Sequence, residues 1–138
     1  MSADEPGVFV RGPHTPLPLF VYGTLLAGQP QAALLGALRR RPAQVRGRLF
    51  QLPAGYPALV VEGADGWVVG ELVDAPPARV LALLDGYEGV DEGLFARVAC
   101  EVRVGLRAER GWAYVMDPAR ARVGRLVASG RWQPVRRR

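Results

Sequence analysis

Leu19-Phe20-Val21-Tyr22-Gly23-Thr24-Leu25-Leu26-Ala27-Gly28-Gln29-Pro30 is the stretch on which the fold turns. Its first four residues are apolar or aromatic and stop at Gly23, the pattern of a short buried strand. Pro30, with its fixed φ, suits the first turn of a helix over Pro30 to Arg41, in which Leu34, Leu35 and Leu38 share a face. Between the two elements, Gly23 and Gly28 have the spacing of a phosphate loop. Such a loop needs Lys and then Ser or Thr to hold phosphate and magnesium, but Gln29 and Pro30 stand there, so the NTPase reading fails. Two readings stay open. The segment is a tight strand-to-helix turn and nothing more, or it presents backbone N–H groups into a pocket for an anion or a polarised carbonyl oxygen.

Beyond Pro42 the hydrophobic period changes to two. Val45 to Leu49 reads as a strand with a bend or bulge at Gly47. Pro53, Gly55 and Pro57 mark a loop, and strands follow at Ala58–Val61 and Trp67–Val73. Asp74 is placed as the N-cap of a helix whose apolar side holds Val80, Leu81, Leu83 and Leu84. Val98, Cys100, Val102 and Val104 alternate with other residues as a half-buried strand, and Trp112–Met116 forms the last one. Strands predominate and several are adjacent in sequence, which predicts an α+β domain with a curled, barrel-like mixed sheet and flanking helices. The expected organisation is a flexible leader at 1–17, one domain at 18–132 and a basic tail at 133–138.

Composition removes several function classes. A chain of 138 residues, 49% hydrophobic, can bury a core without disulfides or metal. No apolar run approaches the roughly 18 residues of a membrane span, and no export signal is legible, so no membrane partner and a cytoplasmic location are expected. A lone Cys100 allows no internal disulfide, and with His14 as the one histidine a metal site or a histidine-dependent dyad is not expected. All 18 basic residues are arginine, and Ile and Asn are absent as well, so codon usage accounts for the net charge of +5. Arg39-Arg40-Arg41 is read as sitting favourably at the C-terminal end of the first helix dipole, and Arg136-Arg137-Arg138 as a solvated tail. Without an aromatic platform or a reading module, the charge does not point to a nucleic-acid partner. Oligomeric state is not legible.

With His, Cys and Lys unavailable as bases, catalysis would fall to a carboxylate, a tyrosine or water. Most acids lie in alternating strands or turns. Glu88 instead follows an apolar helix within Asp85-Gly86-Tyr87-Glu88-Gly89, beside an aromatic ring. Such surroundings disfavour the charged form and raise the pKa towards the range a general base needs. The alternative is that Asp85 and Glu88 merely end an exposed helix.

Together the segments resemble the gamma-glutamylcyclotransferase-like family, and most of all its gamma-glutamylamine cyclotransferase branch. Phe20-Val21-Tyr22-Gly23-Thr24-Leu25 with Gly28-Gln29-Pro30 is similar to the signature loop, and Leu84-Asp85-Gly86-Tyr87-Glu88-Gly89 to the segment carrying the catalytic glutamate. Tyr56-Pro57-Ala58-Leu59-Val60, Leu94-Phe95-Ala96-Arg97 and Ala113-Tyr114-Val115 resemble further strands in order, with Phe95 where the family usually has Tyr. The resemblance implies a small mixed barrel, a cofactor-free lyase- or transferase-class enzyme, and release of 5-oxoproline and an amine from a small gamma-glutamyl amine or amide. It implies Glu88 as acid/base and Tyr22, Gly23, Thr24 and Leu25 as the substrate loop. Tyr22 and Tyr114 either line the pocket and offer hydroxyls or are aromatic core with tethered OH groups, and Arg97 is expected to pair with an acid inside the fold. A non-catalytic ligand-binding or regulatory domain of the same fold is the rival expectation.

Overall fold

The computed structural model describes residues 16–61 and 65–133. Strand β1 (Leu19–Val21) is buried throughout. Alternate side chains leave opposite faces of a strand, and here both faces are covered. Leu19 and Val21 enter a core shared with Leu81 and Leu84 of the main helix, whereas Phe20 packs with Val45, Val68, Leu72 and Val102 inside a barrel. An uninterrupted apolar run is the result.

The barrel is made of β1, β2 (Arg40–Arg46), β5 (Trp67–Val73), β6 (Ala96–Val104) and β7 (Arg107–Val115), in the order β1-β5-β2-β6-β7. β1 closes it, pairing antiparallel with β5 and parallel with β7, so that Leu19 faces both Val73 and Trp112. Against this barrel stands a smaller sheet in which β3 (Arg48–Gln51) lies between β4 (Pro57–Val60) and β8 (Arg125–Leu126). Helix α1 (Ala78–Tyr87) follows β5, and α2 (Pro118–Ala121) is one short turn whose N-cap Asp117 accepts the Ala119 N–H at 3.0 Å. The architecture is the mixed α+β barrel with flanking helices that the sequence predicts. No helix of the described residues is long and apolar enough to cross a membrane.

Three local expectations are corrected. The helix expected over Pro30 to Arg41 is a 3-10 turn, Ala32–Leu35, ended by Gly36 at φ 61°. Arg40 and Arg41 open β2 instead, because its whole length pairs with β5 from Arg40↔Val73 to Arg46↔Trp67. Long-range pairing overrides a weak local periodicity, and Leu34 is left partly exposed. Consequently the Arg39–Arg41 run ends no helix, and each member pairs with an acid: Asp74, Glu71 and Glu109 respectively. Asp74 caps nothing. Pro77 is the N-cap of α1, without a side-chain bond, since Pro76 and Pro77 hold the chain extended past Asp74. Finally, Val45 to Leu49 is two strands in two sheets, and Gly47 is the bend between them. A Cβ at Gly47 would lie 2.8 Å from the Val60 carbonyl oxygen, so only glycine fits where the chain changes sheet. The leader and the tail, apart from residues 16, 17 and 133, lie outside the described residues, as do His14 and Arg136 to Arg138.

Barrel closure gives a stability prediction. A Cβ at Gly70 would lie 2.1 Å from the Val21 carbonyl oxygen and 2.9 Å from the Phe20 ring. Gly70→Ala therefore has to push β1 off β5, and is expected to cost about 1–3 kcal/mol. At Gly86, in α1, an added Cβ meets nothing within 4 Å. Gly86→Ala is expected to stabilise by about 0.5–1 kcal/mol. Urea midpoints at unchanged slope read both; equal midpoints for Gly70→Ala and the parent would contradict this closure.

Candidate active site

At the end of β1 the chain turns through Tyr22, Gly23, Thr24 and Leu25, and the last three carbonyls of this turn are committed. Gly23 O accepts the Leu26 N–H at 2.9 Å, and Thr24 O accepts the Gln31 N–H at 3.0 Å. Leu25 O accepts Arg40 Nη1 at 2.8 Å. In a trans peptide the N–H points opposite to the C=O. The Thr24 and Leu25 N–H groups, which share peptides with the first two carbonyls, therefore point away from these bonds. Neither has an acceptor among the described residues. Gly23 is held against Pro57, where a Cβ would come within 2.6 Å of the ring.

This turn forms one wall of a cavity of about 200 Å³, with Phe20, Tyr22, Tyr56, Pro57, Tyr87, Glu88, Leu94, Phe95 and Tyr114 as the rest. It has room for several water-sized groups.

Glu88 is the first residue after α1, and it is half-buried. Its carboxyl has no hydrogen-bond partner among the described residues, and burial alone raises it from 4.5 to about 7. Gly86 and Gly89 flank Tyr87 and Glu88, and Gly89 takes φ 67°, which turns the chain sharply behind the acid. Tyr87 remains exposed, and its hydroxyl lies 3.2 Å from Thr24 Oγ1 across the mouth of the cavity. The glycine turn and the acid segment are thus joined directly.

The two tyrosines differ. Tyr22 donates to the Tyr114 carbonyl at 2.8 Å and accepts the Leu59 N–H at 3.3 Å, tying β1 to β7 and β4. Its hydroxyl is spent on backbone, so the residue offers the cavity a ring. Tyr114 donates to Asp85 Oδ1 at 2.6 Å. Asp85 is gripped by Arg97 through two bonds, of 2.8 and 3.0 Å, and that guanidinium lies 4.5 Å over the Trp112 ring. Burial first, then the bond to Asp85, holds the Tyr114 hydroxyl protonated well above the usual range. With its proton committed to Asp85, the Tyr114 oxygen can only accept from a ligand.

All the sequence-predicted site residues, Tyr22, Gly23, Thr24, Leu25, Glu88 and Tyr114, therefore line one cavity. Arg97 pairs with an acid inside the fold, as expected, and Phe95 packs its ring 6.2 Å from Tyr56. Sequence reading missed the part Asp85 plays and the two residues behind the turn, Arg40 and Glu71. Only the Asp85–Arg97 pair left a sequence signal.

The raised Glu88 carboxyl implies a pH-dependent stability. Between 4.5 and about 7 the folded state keeps a proton that the unfolded chain releases. The stability this group contributes is present in full below 4.5 and is lost as pH rises through about 7. Solvent at the cavity mouth moderates the size. Glu88→Gln is expected to exceed the parent by on the order of 1–2 kcal/mol above neutrality, and the two should converge in acid. Urea unfolding at both ends of the range measures this; a difference that does not change with pH would sink the assignment.

A family model described as "Gamma-glutamyl cyclotransferase, AIG2-like" matches residues 19–134. The gamma-L-glutamyl-butirosin B gamma-glutamyl cyclotransferase of Niallia circulans is 32% identical over 105 residues, which cover 72% of this chain. The match spans 66% of that relative, just under two thirds of its length. An AIG2-like protein from Mus musculus superposes with a TM-score of 0.69 at 20% identity, covering 91% of this chain and all of that one. YkqA from Bacillus subtilis gives a TM-score of 0.69 at 23% identity, covering 86% of this chain but only 40% of its own. At such identities the last two show a shared fold and nothing more.

Proposed function

The chain belongs to the AIG2-like gamma-glutamyl cyclotransferase family, and from that premise we propose that it releases 5-oxoproline and a free amine from a small gamma-glutamyl amine or amide. The observation that carries the reading is a sheltered carboxyl, Glu88, sharing one small cavity with backbone N–H groups, neither of which has a partner among the described residues.

The substrate supplies its own nucleophile. Its alpha-amine attacks its gamma-carbonyl, so the ring C–N bond forms as the bond from the gamma-carbon to the leaving nitrogen breaks. Neither a serine nor a cysteine nucleophile is required, and folding the substrate into attack geometry supplies much of the rate. The amine is an unreactive ammonium until a base takes its proton. Glu88, half ionised at about pH 7, takes that proton and returns one to the departing nitrogen. The Thr24 and Leu25 N–H groups hold the substrate carboxylate or the developing oxyanion, where one donor is typically worth ~3 kcal/mol. Facing them, the Tyr114 oxygen accepts from the alpha-amine and orients it. The zwitterionic glutamyl head thereby meets donors at one end and acceptors at the other.

Glu88→Gln keeps the shape and removes the base. It is expected to lower kcat/KM for 5-oxoproline release by about 10²–10⁴-fold without loss of fold. In the parent, kcat/KM should rise with pH to a limb near 7, because the ionised carboxylate is the active form. Product chromatography at several pH values reads both. Turnover by Glu88→Gln at the parental rate refutes the assignment, and tight binding without product would favour the ligand-binding alternative.

A further inference from the structure

Behind the glycine turn, on the side away from the cavity, the side chains of Arg40 and Glu71 meet on neighbouring strands. Both are mostly buried, 16% and 26% exposed, with Arg40 Nη1 2.7 Å from Glu71 Oε1. The same Nη1 donates to Leu25 O at 2.8 Å, and the same Oε1 accepts the Ala27 N–H at 3.1 Å. Nη2 lies 3.5 Å from Ala32 O at the far end of the loop. One ion pair thus grips three backbone groups of the segment that leaves β1.

We propose that Arg40 and Glu71 are positioning residues that aim the donor N–H groups of the glycine turn into the cavity. The force is transmitted through two rigid peptide planes. Arg40 fixes the oxygen of the Leu25–Leu26 peptide, and the N–H of that peptide closes onto Gly23 O. Gly23 O belongs to the Gly23–Thr24 peptide, whose N–H points the opposite way, on a residue that lines the cavity. Planarity leaves this chain few soft torsions, so displacement of the Leu25 carbonyl rotates the Thr24 N–H. Glu71 locks the next peptide and holds the guanidinium in register. An ion pair this far out of water gains little by itself, whereas backbone groups held in one direction are what a preorganised donor site requires.

The inference rests on the cyclotransferase reading for its catalytic consequence, but not for its geometry. Arg40→Met keeps the aliphatic stem and removes every donor. Its kcat/KM for 5-oxoproline release from gamma-glutamyl-n-butylamide is expected to fall about 10–100-fold. Arg40→Lys, which retains one charged donor, should lie between it and the parent. Glu71→Gln, which still accepts from Ala27, should lose less than Arg40→Met. Throughout, the acid limb of the pH profile should stay near 7. Mere loosening of the fold would admit water to Glu88 and lower that limb.

Amide NMR of the folded variants supplies a readout independent of turnover. The Thr24 and Leu25 resonances should shift in Arg40→Met, and their response to added 5-oxoproline should weaken. If Arg40→Met folds and retains parental kcat/KM, the proposal is overturned. Should the parent release no 5-oxoproline, the functional reading fails by itself. The positioning role then stands if those two amides move in Arg40→Met, and falls if they do not.

Discussion

Closure of the barrel by β1 is the constraint on which the rest depends. This strand has three residues, yet it bonds antiparallel to β5 on one edge and parallel to β7 on the other. With both edges and both faces occupied it cannot slide, since a one-residue slip would exchange its two apolar faces. Wherever β1 ends, the glycine turn begins. Tyr22 then pins that end by bonding to the backbone of β7 and β4. The turn therefore projects from a fixed point, and its own hydrogen bonds need only decide which way its peptides face.

Polarity follows from this placement. On one wall the carbonyls of residues 23, 24 and 25 are all consumed, which leaves N–H donors. On the other, Asp85 consumes the Tyr114 proton and nothing satisfies Glu88 among the described residues, which leaves acceptors. Buried polar groups ordinarily find partners. Here donors and acceptors without a partner among the described residues line the same cavity.

Part of the arginine-rich composition is accounted for in the same way. Arg39, Arg40, Arg41, Arg48 and Arg97 pair with Asp74, Glu71, Glu109, Asp65 and Asp85. Arg46 and Arg103 lie over the Trp67 ring instead. These seven charges are spent on acids and aromatic faces within the fold.

Much of this was legible in one dimension. The apolar run of β1, the strand at Trp67–Val73 and the apolar side of α1 follow from side-chain periodicity, which is a local property. Glu88 stood out because a carboxylate between an apolar helix and an aromatic residue is unusual chemistry at any position. Other features depended on partners distant in sequence. Arg40 looked like the end of a helix until pairing with β5 drew it into a strand, and nothing near it in the chain announces Glu71. The sequence by itself determined the element types with strong periodicity, the residues able to do chemistry and the turn that had to be glycine. Tertiary structure alone decided which carbonyls are consumed, which way the N–H groups face and whether Glu88 is sheltered, because direction and desolvation are set by neighbours that meet only when the barrel closes.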